Sequence, residues 1–220
     1  MYFDESTREV FLYNDIGPAW AGMFDSEMMK FALTKLGKGD VNLRVNSYGG
    51  SVDEALAMIE VLGRHDGGIK VSVDSIAASA ASLFPVVFPS TAAKHARIMI
   101  HNPWGIALGN ASEMRRVASV LDLYRDSLVT IYMQGMKKNE EEIKSLMDAE
   151  TWYSAEGALA EGLVDEVTEP ATKVAAKAAP QGRFKNVPQD LVNPVATPSK
   201  PQFSNVTAAK LAILKHKLKR

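Results

Sequence analysis

The 220-residue chain contains no cysteine. This absence excludes a disulfide framework, thiolate metal ligands and a thiol nucleophile. A chain without cysteine fits a reducing compartment.

Long apolar runs are also missing. No segment reaches the roughly 20 apolar residues that a membrane-spanning helix needs. The start of the chain at 1–6 is acidic and lacks the basic and apolar regions of a secretory signal. We therefore expect a cytoplasmic protein without a membrane partner.

Signatures of metal and nucleotide binding are absent too. The four histidines and the acidic residues show no metal-ligand spacing, and the chain has no Gly-x-x-x-x-Gly-Lys-Ser/Thr phosphate loop. We expect no metal, no other cofactor and no nucleic-acid partner.

Charge is distributed unevenly along the chain. Residues 1–169 carry 15 Lys/Arg and 25 Asp/Glu, whereas residues 170–220 carry 10 Lys/Arg and a single acid, Asp190. Six of the ten prolines also follow position 169. The composition predicts a folded domain at 1–169, an extended and mostly disordered linker at 170–202, and a basic amphipathic tail helix at 203–220.

Strand and helix patterns alternate along the first 169 residues. Short β-branched runs predict strands at 10–13, 41–45, 71–73, 98–100 and 164–167. Helical spacing of apolar residues predicts helices at 25–36, 52–64, 79–88, 112–135, 140–148 and 155–161. This alternation is typical of an α/β domain with a largely parallel sheet flanked by helices.

The most informative segment is 71–82, Val-Ser-Val-Asp-Ser-Ile-Ala-Ala-Ser-Ala-Ala-Ser. A strand pattern ends at Ser79, which lies between alanines, and an apolar helical pattern follows at once. A serine on such a turn places its hydroxyl at the positive end of a helix, where a nucleophile is favoured. Taken alone, the pattern is more typical of a small-residue helix packed in a core, since it is not a Gly-x-Ser-x-Gly elbow.

Two further segments place polar groups at predicted strand ends. Residues 41–46 alternate like a half-buried strand and run into Gly49 and Gly50, whose unobstructed backbone N–H groups can bind an oxyanion. His101 follows the apolar strand at 98–100, just before a Pro/Gly turn, and is a candidate general base. Either feature alone is more often structural than catalytic.

Together these segments resemble the ClpP peptidase family, within the wider ClpP/crotonase fold. Four motifs of the family occur in the right order: Asn-Ser-Tyr-Gly-Gly at 46–50, Ala-Ala-Ser-Ala-Ala at 77–81, Met-Ile-His-Asn-Pro at 99–103 and Ser-Ala-x-x-Ala-x-x-x-Gly-Leu-Val-Asp at 154–165. The resemblance covers about 10–167 and implies a ClpP/crotonase-like layered fold. It also implies a serine endopeptidase.

The resemblance assigns roles to individual residues. It makes Ser79 the nucleophile and His101 its general base. It makes the backbone N–H groups of Gly50 and Ala80 the oxyanion hole. The substrate-binding positions that it implies are Gly49, Ser51, Val52, Trp104 and Gly105, where an extended peptide is expected to pair by strand addition.

The third triad member departs from the family pattern, which has an aspartate before the aromatic stretch that leads into the last motif. Glu150 stands at the aligned position, and Asp148 lies two residues earlier. Either carboxylate can orient the histidine and stabilise the imidazolium. The register favours Glu150 and keeps Asp148 as the alternative acid.

The resemblance leaves the biological setting open. The long helix at 112–135 corresponds to a handle through which subunits and rings of the family pack, so a homo-oligomeric ring is expected. The short segment before the first strand and the basic tail resemble ClpP-like proteases of tailed phages, which mature phage heads in the host cytoplasm. In that setting the partner is a capsid or scaffold protein.

Two alternatives stand beside the phage setting. The first is the proteolytic subunit of an ATP-dependent Clp protease, which works with an ATPase partner. The second comes from another class, a crotonase-like acyl-CoA enzyme on the same fold. The combination of Ser79 and His101 argues against this second alternative.

Overall fold

A computed structural model of the chain describes residues 2–169 and 182–192. The strands within these residues are β1 (Phe3–Asp4), β2 (Glu9–Leu12), β3 (Val41–Ser47), β4 (Ile69–Ala78), β5 (Ser90–Ala93), β6 (Arg97–Ile100), β7 (Thr151–Ser154) and β8 (Glu166–Thr168). The helices are α1 (Ser26–Leu36), α2 (Val52–Gly63), α3 (Leu83–Val87), α4 (Ala111–Gly135), α5 (Glu140–Asp148), α6 (Ala155–Glu161) and α7 (Gln189–Val192). The tail helix predicted at 203–220 lies outside the described residues.

These strands form one sheet in the order β1-β2-β3-β4-β5-β8, with β6 paired to β4 and to β7. The β1–β2 and β6–β7 pairs are antiparallel, and the other pairs are parallel. Helices flank the sheet, as the alternating pattern predicts, so the α/β class is confirmed. The strands β1, β5 and β7 are additions that the sequence patterns did not predict.

The long strand β4 determines where the functional groups meet. Its first half pairs with β5 at Val71–Val73, and its second half pairs with β6 at Ile76–Ala78. Strands β3, β4 and β6 are mutually parallel at this point, so their carboxyl ends reach the same edge of the sheet. The residues that follow these three strands therefore become neighbours.

The core holds these strands in place. Strand β3 alternates strictly, with Val41, Leu43 and Val45 buried between sheet and helices. On the helix side, α1 and α2 contribute buried apolar residues such as Met29 and Met58. Fully burying an aliphatic side chain of this size stabilises the fold by about 1.5–3 kcal/mol. The strand ends thus project from a rigid layer.

Helix α4 protrudes from the body formed by the sheet and its flanking helices. Its C-terminal half packs on the body through Leu128, Val129 and Tyr132, whereas its N-terminal half is almost entirely exposed. A capping box at Asn110 satisfies the first free N–H groups of the helix. Within the described part of the chain, no helix is long and apolar enough to cross a membrane.

Residues 182–192, called the C-terminal segment below, correct the prediction of an extended linker over 170–202. Phe184 and Leu191 are buried in an apolar cluster with Tyr48, Ile76 and Met99. The average composition of the linker hid this small apolar set, whose burial offsets the entropy cost of ordering the backbone around it. The remaining linker residues lie outside the described part of the chain.

Candidate active site

Ser79 lies where β4 ends and a short 3-10 helix, Ser79–Ser82, begins. Its φ of 55° falls in the left-handed region, which is rare for a residue with a side chain. Such strain persists only where the surroundings fix the backbone, and it concentrates at functional sites. The neighbours Ala78 and Ala80 are buried, while Ser79 itself is only half-buried. The turn therefore presents the hydroxyl at the sheet edge.

His101 lies beside this serine because β6 pairs with the second half of β4. The register aligns Ala78 with Met99, so the residue after β6 comes next to the residue after β4. Nε2 of His101 is 2.7 Å from Oγ of Ser79, which is hydrogen-bond distance. The sequence separation of these two residues gave no direct sign of this contact, and the resemblance alone predicted it.

The environment of His101 favours its neutral form. Burial is the largest cause and lowers the pKa of the imidazole below its ordinary value. The nearby Glu150 carboxylate raises that pKa, and the cationic groups of Arg183 and Lys185 lower it further. A neutral imidazole with a free Nε2 lone pair can accept the serine proton near neutral pH.

The glycine turn after β3 lies directly against the nucleophile. A Cβ on Gly49 would stand 2.5 Å from Ala78 O and 2.8 Å from Ala80 N, so only glycine permits this approach. On its other side the turn is fixed by Ile16, which donates from its N–H to Gly49 O. The backbone of 49–50 is thereby held alongside Ser79 and Ala80.

Glu150 and Asp148 occupy very different environments. Glu150 is only 7% exposed and follows α5 directly before β7, with a φ of 51°. Asp148, in contrast, has a side chain that is 56% exposed and pairs with Arg125 at 3.4 Å. Its carboxylate also accepts a hydrogen bond from Asn102 Nδ2 at 2.7 Å. The charge of Glu150 acts on His101 and raises its pKa, whereas Asp148 pairs with Arg125 and Asn102.

The Glu150 carboxylate accepts hydrogen bonds from groups that the sequence did not predict. Lys185 N donates to Oε1 at 2.8 Å and to Oε2 at 3.0 Å, and Asn186 N donates to Oε1 at 2.7 Å. A third group, Trp152 Nε1, lies 3.3 Å from Oε1. Within the described residues, His101 is not among these donors. The sequence signal that could have indicated a packed segment here was Phe184, an isolated aromatic residue in the polar linker.

The predicted substrate-binding positions are only partly suited to strand addition. Ser51 uses its N–H to bond Ile16 O and its carbonyl to accept from Ala55 N, and its hydroxyl caps α2. Val52 is the first residue of α2. The backbone N–H and C=O of Ser51 are therefore each hydrogen-bonded within the fold, and pairing of this residue with an extended peptide stays a prediction.

On the opposite side of the site, the chain after β6 is irregular. Trp104 is 58% exposed, and Gly105 is exposed as well. A Cβ added to Gly105 would meet nothing within 4 Å. The backbone at 104–105 is thus exposed and unobstructed, and its role in peptide binding stays a prediction.

Two other serines near Ser79 have structural environments. Ser75 lies within β4 and is 3% exposed, and Ser82 donates its hydroxyl proton to Ser79 O at 2.7 Å or shares it with Tyr132 Oη at 2.8 Å. Neither hydroxyl contacts His101 in the described structure. As for metals, no group of three or more His, Asp or Glu side chains among the described residues could hold one.

Comparisons with known proteins agree with this geometry. The family model described as Clp protease matches residues 5–171. The ATP-dependent Clp protease proteolytic subunit 1 of Protochlamydia amoebophila is 30% identical over 166 residues, which cover 73% of this chain and 80% of the relative. An ATP-dependent Clp protease proteolytic subunit of Bacteroides fragilis is 28% identical over 163 residues, with 73% and 78% covered.

A solved structure supports the same fold. A mutant of ClpP1 from Listeria monocytogenes superimposes with a TM-score of 0.66 at 21% identity. The match covers 76% of this chain and 94% of that structure. At this level of identity the likeness supports the architecture alone.

Proposed function

The chain belongs to the Clp protease family and is a serine endopeptidase, and we propose that it cleaves peptide bonds with a triad of Ser79, His101 and Glu150. The contact of 2.7 Å between Ser79 Oγ and His101 Nε2 carries the proposal. A nucleophile within hydrogen-bond reach of a base that is held neutral is the arrangement that acyl transfer requires.

Catalysis begins with the attack of Ser79 Oγ on the peptide carbonyl. His101 Nε2 takes the hydroxyl proton as the bond forms and later gives it to the leaving amine. Between these two proton transfers, the buried side chain of His101 is a positively charged imidazolium. The carboxylate of Glu150, which already raises the pKa of His101, stabilises that charge. Water then hydrolyses the acyl-enzyme by the same proton path in reverse.

The backbone N–H groups of Gly50 and Ala80 donate hydrogen bonds to the tetrahedral oxyanion. Support comes from Gly49, whose missing side chain lets the turn approach the backbone of Ala80. Backbone donors of this kind stabilise the developing charge without reorganising, and the loss of one donor typically costs about 10²–10³-fold in kcat.

For the biological role we propose the proteolytic subunit of an ATP-dependent Clp-type protease. The curated relatives reported above carry that name, and the similarity covers most of their length. From the sequence alone, this role was the alternative to phage head maturation. The role in phage head maturation, with a capsid or scaffold partner, finds no support among these relatives and stays a prediction.

We also propose that the chain assembles into a homo-oligomer. The protruding half of α4 exposes the apolar side chains of Met114, Val120 and Leu123, of which Leu123 is 68% exposed. In the preceding loop, the side chains of Ile106 and Leu108 are even more exposed than that of Leu123. Large apolar side chains exposed on one protruding helix and its loop favour a protein–protein interface there.

The test of the proposed chemistry compares Ser79→Ala with Ser75→Ala on a fluorogenic peptide. We expect Ser79→Ala to lose turnover by about 10⁶-fold, as removal of a serine nucleophile does. Ser75→Ala is the matched control, because its hydroxyl is buried four residues upstream and has no hydrogen-bond partner among the described residues. If Ser79→Ala hydrolysed the peptide as fast as Ser75→Ala does, the proposed nucleophile would be wrong.

The role is tested separately with a protein substrate. Addition of a Clp-type ATPase and ATP should accelerate the degradation of an unfolded protein while leaving hydrolysis of the small peptide nearly unchanged. An enzyme that degrades the protein equally fast without the ATPase would contradict the role and leave the chemistry intact.

A further inference from the structure

The C-terminal segment, residues 182–192, lies on the acid side of the candidate site. It is anchored at one end by an ion pair between Arg183 and Asp15 at 2.8 Å. At the other end Leu191 is buried against the body. Asn186 Nδ2 adds a hydrogen bond to Ala149 O at 2.8 Å, directly before Glu150. These contacts hold the segment in one place against the backbone that carries the acid.

The backbone of the segment donates to the acid itself. Among the described residues, the amides of Lys185 and Asn186 together make three of the four hydrogen bonds that Glu150 accepts, and all three are 3.0 Å or shorter. A carboxylate offers about four acceptor positions. Oε2 accepts only from Lys185 N among the described residues, so it keeps capacity for the Nδ1–H of an imidazole.

Phe184 covers the histidine at the same time. Its ring centroid lies 5.7 Å from that of His101 in an edge-on arrangement. It also packs on Tyr48 at 5.8 Å and on Trp152 at 5.6 Å. Phe184 is 7% exposed, so these rings exclude water from the histidine and its acid. Electrostatic interactions are stronger in such a dry environment.

The hydrogen bonds of the segment avoid the predicted substrate-binding positions. Its hydrogen bonds to other parts of the described structure go to Asp15, Ala149 and Glu150. None of them reaches the turn at 49–52 or the stretch at 104–105. A segment that imitated substrate would pair with those stretches and approach Ser79 Oγ. The geometry thus favours support of the site over blockage.

We propose that the C-terminal segment completes the active site as a positioning element. The amides of Lys185 and Asn186 fix the Glu150 carboxylate beside His101, and Phe184 shields this pair from water. Glutamate has one more rotatable bond than aspartate, so its carboxylate gains more from being fixed by external donors. The inference rests on the proposed function, because Glu150 must be the triad acid for its position to matter.

The first test uses full-length Lys185→Pro and Lys185→Ala. Proline removes the N–H that donates to both oxygens of Glu150, whereas alanine keeps it and serves as the matched control. We expect Lys185→Pro to lower kcat by about 10²-fold, the typical cost of a catalytic group misplaced by about 1 Å, with KM for a short peptide nearly unchanged. Wild-type or increased turnover in Lys185→Pro would overturn the proposal, and an increase would indicate an inhibitory segment.

The second variant, Phe184→Ala, tests the shielding of His101 through a pH profile. The charged groups that act on this histidine are Glu150, Arg183 and Lys185. Loss of the ring admits water, so the pKa of His101 rises and the acidic limb of kcat/KM moves to higher pH. Phe184→Leu keeps an apolar cover and should restore the wild-type profile. An unshifted limb in Phe184→Ala would contradict the shielding role.

A double-mutant cycle separates the inference from the proposed function. In a Glu150→Gln background, Lys185→Pro should cause little further loss in the rate of peptide hydrolysis or of labelling by a fluorophosphonate, because both changes act through the same carboxylate. A full additional loss would show that the segment acts otherwise and would overturn the inference. If Glu150→Gln alone kept wild-type turnover, the proposed triad would fail, whatever the segment variants do.

Discussion

The two halves of the candidate active site are built in different ways. Ser79, His101 and the glycine turn follow the ends of adjacent parallel strands, and the buried sheet sets their spacing. Glu150 lies in a turn between α5 and β7, and its carboxylate is held by amides that stand 35 and 36 residues further along the chain. One half is thus fixed by the core and the other by a distant segment.

The two halves should therefore differ in how well they tolerate substitution. The strand-end half cannot shift without disturbing β4, which is buried from Ser75 to Ala78. The acid half depends on a few hydrogen bonds and on the small apolar cluster around Phe184. Regions with few buried contacts open locally at low free-energy cost. We therefore expect variants of the acid half to alter kcat while the protein remains folded.

Removing the charge of Glu150 should have the largest effect on the acid half of the site. Glu150→Gln keeps the size of the side chain but removes the charge that stabilises the imidazolium, and we expect kcat to fall by about 10⁴-fold, as with the loss of a triad aspartate. Asp148→Asn is the matched control, since its carboxylate is exposed and pairs with Arg125. Steady-state kinetics on a fluorogenic peptide measures both. The opposite ranking would assign Asp148 as the triad acid.

A substitution in the strand-end half should have the next largest effect. Gly49→Ala places a Cβ within 3 Å of the backbone of Ala78 and Ala80 at a φ of 81°, so the turn must move away from the nucleophile. We expect kcat to fall by about 10²–10³-fold through a displaced oxyanion hole, together with a lower melting temperature. Gly63→Ala, at the open end of α2, is the control and should match wild type. Full activity in Gly49→Ala would show that the turn does not serve the site.

The same comparison explains how much the sequence could predict. Strand-end motifs are local, so the patterns around Ser79 and His101 could be recognised in the sequence. Helix periodicity is local as well, and it predicted the boundaries of α5 and α6 as the structure has them. Strands β5 and β7 were missed because Ser90–Ala93 and Thr151–Ser154 are short and lack a β-branched apolar run. The C-terminal segment was missed because its fold depends on tertiary packing of Phe184, which no local pattern reveals.

In the proposed mechanism Ser79 is a nucleophile activated by His101. The most direct measurement treats the full-length protein with a fluorophosphonate and identifies the modified residue by mass spectrometry of its peptides. We expect one adduct, on Ser79, that disappears in His101→Ala. An adduct on Ser75 or Ser82, or no adduct on an enzyme that still hydrolyses peptides, would contradict it.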